Sequence, residues 1–396
     1  MSPKDTSTPV NGAPARCIGI LTSGGDCPGL NAAIRALTKA AIQDHGIKVV
    51  GILDGFRGLV ENRTRPLNYN DMSGMLTLGG TILGTSRDKP NKMRMGQQVL
   101  DMTETAVENA RSNGFDCVVC LGGGGTQKNA WHLAQAGLNV VTLPKTIDND
   151  VGGTDYSFGF DTAMSIATQA IDRLHTTATS HKRIIVVETM GHKTGWLALG
   201  GGIAGGADVI LLPEVPYDVH AISGFLLERQ RRFGKKFSIV AVAEGAISAD
   251  EAEHSKKNGG RRGNAADETS DDVNGYHLVE ESLASRLTRQ LQDLTRTDAR
   301  VTSLGHVQRG GEPTARDRML ATNLGVKAVE LLAAGTYNVM VAERGTEYVA
   351  VPLEEVAGVR NTVPLSHPWV RAARRVGTNL GIPDDELRKR IGKASD

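Results

Sequence analysis

The sequence predicts an α/β protein of two lobes, each built on a mainly parallel sheet. Short apolar runs alternate with amphipathic helical patterns along most of the chain, the rhythm of βαβ units in which parallel strands need helical crossovers. A length of 396 residues exceeds what one ordinary core accommodates, at roughly 150 residues per domain. Forty-seven glycines beside 40% apolar residues add tight turns and close backbone approaches, because a residue without Cβ goes where others cannot.

Taken in order, the stretch MSPKDTSTPVNGAPA (residues 1–15) is polar and without apolar period, so it is expected to be a disordered tail, with structure beginning near Arg16. CIGIL, KVVGIL, CVVCL and NVVTL read as buried strands, with helices LNAAIRALTKAAI and ETAVENARSNG among them. Pro28 is expected in the first turn of the first of these helices, where no N–H is missed. A second series follows Asp161: MSIATQAIDRLHTTA as helix, RIIVVE as strand, WLALGGGIAGG as helix, VILLP and FSIVAVAE as strands. From Ile247 to Gly275 large apolar residues almost vanish and acids interleave with bases, which predicts a mobile, solvated insertion near 248–275. LVEESLASRLTRQLQDLT then reads as an amphipathic helix leading to a strand and LGHVQRGGEPTARDR.

Composition excludes several function classes. Forty-five basic against 44 acidic side chains leave nothing to steer the whole molecule toward nucleic acid or a membrane, so any anion site must be local. No apolar run approaches the roughly 20 residues of a membrane span, and residues 1–15 lack a signal-peptide core, so a cytoplasmic protein is expected. Cys117 and Cys120 are three apart on a strand and face opposite ways, which predicts buried thiols in place of a metal or redox pair.

Two segments share one grammar. CIGILTSGGDCPGLNAAIRAL and CVVCLGGGGTQKNAWHLAQAG each run from a buried strand through glycines into a helix, where unpaired N–H groups and the helix dipole favour an anion. Plain packing is the alternative use of such glycines. Neither segment is a GxxxxGK[ST] loop or a GxGxxG turn. Arg87, ending LGGTILGTSR, could bring a guanidinium to phosphates or be a surface charge. PKTIDND follows a strand C-terminus, where open α/β sheets put their ligands. Asp148 and Asp150 are two apart, so in an extended segment they face the same way, one suited to take a proton and the other to hold Mg²⁺; an Asx-capped turn is the competing reading.

ILTSGGDCPGLNAAIR, GGTILGTSR, PKTIDND, GTDYSFGFDTA, SHKRIIVVETMGHKTGW, AVAEG and LGHVQRGGEPTARDR occur in the order and approximate spacing of the 6-phosphofructokinase family, bacterial type, which the chain resembles from about Ile18 to about Gly335. The resemblance implies a phosphofructokinase-like fold with a donor lobe of 16–159 plus about 308–358 and a fructose 6-phosphate lobe of 160–307 plus about 359–396. It implies Mg²⁺-dependent transfer of a phosphoryl group from ATP to the C1 hydroxyl of fructose 6-phosphate, in a homo-oligomer, dimer or tetramer, whose sites are shared between subunits. Asp148 resembles the general base, Thr146 the contact with the transferring group, Arg87 the neutraliser of developing charge and Asp150 the metal-side carboxylate. Gly24, Gly25, Gly122, Gly123, Gly124, Gly125, Thr126 and Lys145 match the donor side; Met190, Gly191, His192, Glu244, His306 and Arg309 match the sugar phosphate; Arg183 and Arg300 match arginines that arrive from a neighbouring subunit.

Three positions depart from the family. Gly124 stands where an acid is usual, leaving Asp150 more of the metal's task. His192 and Lys193 follow METMG where arginine is usual. Of the effector-pocket bases, Arg35, Lys39 and Lys235 match but His175, Phe233 and Phe237 do not, so control by nucleoside diphosphate or phosphoenolpyruvate is not implied. Gly125 implies ATP, since family members with GGDD use pyrophosphate and a carboxylate there would repel the nucleotide's α-phosphate; Lys145, typical of pyrophosphate enzymes and of some ATP users, points the other way. Pyrophosphate as donor, a noncatalytic sugar-phosphate sensor and an NAD or lipid kinase are the competing functions.

Overall fold

The computed structural model describes residues 12–257 and 281–393. The chain divides into two compact units, Met1–Thr162 with Arg309–Asn361 and Ala163–Gln308 with Thr362–Asp396.

The first unit is built on an eight-stranded sheet. Strands Val339–Arg344, Val140–Thr146, Cys117–Gly122, Cys17–Thr22 and Lys48–Ile52 lie side by side in parallel, with antiparallel edges Glu347–Pro352 and Thr64–Pro66. A two-residue strand, Phe158–Gly159, pairs with Lys145 and Thr146. Central parallel strands are covered on both faces and therefore read as unbroken apolar runs; every residue of Cys117–Gly122 and Val140–Thr146 is accordingly buried. Leu21, Ile52, Phe56, Val118, Cys120, Leu133 and Met340 belong to one core cluster. Cys117 and Cys120 are both buried free thiols, and burial pushes each well above its ordinary pKa. Helix Leu30–His45 meets helix Ala315–Ala333 so closely at Gly325 that a Cβ there would lie 2.8 Å from the Ala36 methyl.

Two expectations are corrected in this unit. Residues 1–11 of the predicted tail lie outside the described residues, but its end is tied down: Gly12 N–H donates to the Gly335 carbonyl at 3.1 Å, Ala15 N–H to Leu332 at 3.0 Å, and Tyr337 Oη to Ala13 at 2.6 Å. Pro28 lies ahead of the helix, which starts at Leu30 after a left-handed Gly29 with φ 104°.

The second unit carries a four-stranded parallel sheet in the order Val209–Leu211, Ser238–Ala243, Ile184–Thr189, Ala299–Ser303. Its core gathers Val186, Leu211, Tyr217, Val240 and Leu287. Helix Leu283–Thr295 opens on Ser282, whose hydroxyl accepts from Ser285 N–H. The predicted insertion is also corrected: Ala249–Lys257 is a helix, while 258–275 lie outside the described residues. A capping box explains it. Ser248 Oγ accepts from Glu251 N–H at 3.2 Å, the Glu251 carboxylate accepts from Ser248 N–H at 2.9 Å, and Arg286 reaches Glu251 at 2.7 Å.

Candidate active site

At the C-terminal ends of the first unit's parallel strands, three segments converge. Cys17–Thr22 runs into Ser23-Gly24-Gly25-Asp26, whose left-handed Gly24 has φ 84°. The segment before Arg87 is sewn to this loop: Gly24 N–H donates to the Ser86 carbonyl at 2.9 Å and Thr85 Oγ1 to the Gly24 carbonyl at 2.6 Å. Arg87 thus leaves directly beside the loop, with an exposed side chain. Lys145 is only 3% exposed and donates from Nζ to the Gly25 carbonyl at 2.5 Å. Burial holds its ammonium below the usual lysine range, with Arg309 acting the same way and Cys27, Asp148 and Asp26 opposing. Arg309 Nη1 donates to the Asp26 carbonyl at 3.3 Å, and a Cβ at Gly25 would come within 2.5 Å of that nitrogen. Gly25 is therefore needed for the guanidinium to lie against the loop.

Cys117–Gly122 passes through Gly123 into helix Gly124–Gln135. The four glycines are not equivalent. A Cβ at Gly122 would fall 2.0 Å from Thr126 Oγ1, whereas Cβ atoms at Gly124 and Gly125 would meet nothing within 4 Å. Packing explains the first; at the other two, the protein itself asks for no glycine. Both lie in the first turn of the helix, whose N–H groups have no acceptor within the helix itself. Gln127 and Thr142 are structural, the Thr142 hydroxyl donating to Gln127 Oε1 at 2.5 Å in the buried interior.

The turn after Val140–Thr146 differs from the expected extended segment. Asn149, between the two acids, has φ 52°, so the strand alternation that would have aligned Asp148 with Asp150 is broken there. Asp148 N–H donates to Thr146 Oγ1 at 3.1 Å. Asn149 is 3% exposed; its Oδ1 accepts from Ser157 N–H at 2.9 Å and its Nδ2 donates to the Asp155 carbonyl at 3.2 Å. Among the described residues no group of three or more His, Cys, Asp or Glu is placed to hold a metal ion by itself.

In the second unit, Ile184–Thr189 ends in a loop through Met190 and Gly191 to helix Trp196–Ala204. Gly191, with φ 145°, would put a Cβ 2.6 Å from the Thr194 carbonyl oxygen. Glu244 accepts from His192 N–H at 2.8 Å, and Gln308 Oε1 accepts from Met190 N–H at 2.8 Å. Met190, Gly191, His192 and Glu244 are thus brought together. His306 stands exposed, two residues from fully buried Gln308. Arg183 and Arg300 are brought together elsewhere, on the carboxylate of Asp298: Arg183 Nε donates to Oδ2 at 2.5 Å and Arg300 Nη1 to Oδ1. Arg183 precedes strand Ile184–Thr189 and Arg300 lies near the start of the parallel strand Ala299–Ser303, whereas Met190 follows the far end of the first and Glu244 the far end of its parallel neighbour Ser238–Ala243, roughly 20 Å along the strands at the ordinary rise per residue.

Sequence reasoning passed over Asn149, Ser157, Gln308 and Asn361, buried or half-buried amides and a hydroxyl that hold these loops. Only Asn149 carried a local signal, since asparagine favours the left-handed region.

A family model described as Phosphofructokinase matches residues 17–332. The chain is 53% identical over 369 residues to an ATP-dependent 6-phosphofructokinase of Propionibacterium freudenreichii, covering 92% of this chain and 99% of that one. It is 45% identical over 349 residues to a pyrophosphate–fructose 6-phosphate 1-phosphotransferase of Amycolatopsis mediterranei, covering 88% and 96%. Among solved structures, the phosphofructokinase of Pichia pastoris in the T-state superposes with a TM-score of 0.72 at 31% identity over 99% of this chain, which spans 40% of that longer one.

Proposed function

Because the chain belongs to the phosphofructokinase family, we propose that it transfers the γ-phosphoryl group of ATP to the C1 hydroxyl of fructose 6-phosphate, giving fructose 1,6-bisphosphate. The observation that carries this reading is the convergence in the first unit of the Gly24–Asp26 loop, Lys145, Arg309 and the Thr146–Asp150 turn beside two glycines that nothing in the protein requires. Backbone N–H groups at Gly124 and Gly125 receive donor phosphates, Arg87 and Lys145 offset charge as the phosphoryl group moves, and Arg309 grips the 6-phosphate of the sugar. Asp148 takes the proton of the attacking hydroxyl, with Thr146 ordering its backbone. Glu244 and the Met190–His192 loop receive the sugar.

Mg²⁺ fits this donor set, since it takes one or two carboxylates and completes its shell with phosphate and water. Asp150 would hold it, and the ion would supply charge neutralisation to the donor phosphates. The opposite-end location of Arg183 and Arg300 supports a homo-oligomer in which they serve a neighbour's sugar phosphate. Among the described residues no helix is long and apolar enough to cross a membrane, and we place the enzyme in the cytoplasm with its substrates.

ATP is favoured over pyrophosphate by the open space at Gly125, where an aspartate would carry its charge to the phosphate floor. Comparing kcat/KM for the two donors in the wild type and in Gly125→Asp tests this: ATP preference in the wild type, lost in the variant, is expected. Wild-type preference for pyrophosphate overturns the donor assignment, and no turnover of fructose 6-phosphate with either donor overturns the function.

A further inference from the structure

The chain leaves the first unit at Asn361, and that residue grips the turn bearing both acids. Its backbone N–H donates to the Asp150 carbonyl at 2.9 Å, and its Nδ2 donates to the Asn149 carbonyl at 3.0 Å. One asparagine thereby fixes the peptide planes on either side of Asp150. The residues before it run along the same segment: Gly152 N–H donates to the Val359 carbonyl at 3.3 Å, and Arg360 bridges to Val151.

Asn149 has a left-handed φ of 52°, which asparagine tolerates better than other side chains but which the neighbouring contacts hold in place. Ser157 and Asp155 do so through the Asn149 side chain. Asn361 does so through the Asn149 carbonyl, the group that rotates if the turn relaxes to an ordinary conformation. We propose that Asn361 is a positioning residue for phosphoryl transfer, which sets the directions in which Asp148 and Asp150 leave the turn without touching substrate itself. The inference rests on the reading of Asp148 as the base. It follows from the sensitivity of proton and phosphoryl transfer to displacements of an ångström or less, whereas binding energy spread over many contacts is far less sensitive.

The test compares Asn361→Ala and Asn361→Asp with Asp148→Asn. Alanine deletes the side-chain donor; aspartate keeps the volume but presents an acceptor to the Asn149 carbonyl and a third carboxylate to the turn. In both Asn361 variants kcat should fall about 10- to 100-fold while KM for fructose 6-phosphate and for ATP stays within about twofold. Unchanged kcat in both variants overturns the inference. So does a loss of kcat seen only with a matching fall in thermal midpoint and a rise in both KM values, or failure of both proteins to fold, because a merely structural asparagine would behave that way. If Asp148→Asn retains activity, the assignment of the base fails instead.

Discussion

Replacing Asp148 by asparagine should lower kcat by about 10²-fold or more, with KM for fructose 6-phosphate little changed, because the side chain keeps its size and loses only its basicity; steady-state kinetics at saturating donor check this. The glycine run separates packing from binding in a second measurement. Gly122→Ala pushes a methyl to 2.0 Å from Thr126 Oγ1 and should cost on the order of 1–3 kcal/mol, read as a lower thermal midpoint. Gly124→Ala meets nothing within 4 Å and should hold or raise that midpoint, since alanine suits a helix better by up to about 1 kcal/mol, yet weaken ATP binding by filling the space above the helix N-terminus. A Gly124→Ala protein with unaltered KM for ATP would show that the open glycines are not the phosphate floor. The motif set Gly124 and Gly125 apart by resemblance, but the packing role of Gly122 was not legible in it, because that lies in what the missing Cβ would touch.

At the scale of elements, Asp317 joins two helix starts. Lying in the first turn of Ala315–Ala333, it accepts on Oδ2 from both the N–H and hydroxyl of Thr162, at 2.8 and 2.5 Å. Burial raises its pKa to about 6, with the Thr162 hydrogen bonds opposing. A folded-state value above the unfolded one means that the stabilising contribution is present below about pH 4 and is lost as pH rises through about 6, as a buried carboxyl is forced to ionise. The span corresponds to at most on the order of 3 kcal/mol. Asp317→Asn should therefore flatten part of the decline in thermal midpoint between pH 4 and 7; curves of equal slope for the two proteins would refute the assignment. The elements themselves were largely legible, because doubly covered parallel strands appear as apolar runs. The helix Ala249–Lys257 escaped notice, although Ser248 and Glu251 spell its capping box, since the polar run around it drew attention to composition over spacing.

For the whole molecule, the separation of Arg183 and Arg300 from the Met190–Glu244 cluster predicts complementation. Arg183→Ala and Asp148→Asn proteins, each nearly inactive alone, should regain activity when dissociated and reassembled together, because a mixed oligomer can build one site from two intact halves. Subunit exchange demonstrated without recovery would mean that each chain completes its own site.

The sequence by itself determined the α/β class, the strand-to-helix turns and the family, since these depend on apolar periodicity and on short motifs whose residues act together as neighbours. Tertiary structure decided which distant groups hold the motifs in shape. Asn361 reaches Asn149 across 212 positions and Arg309 reaches Asp26 across 283. No local pattern announces such partners: a buried carbonyl must find a donor, but only the folded backbone determines which one comes within 3 Å.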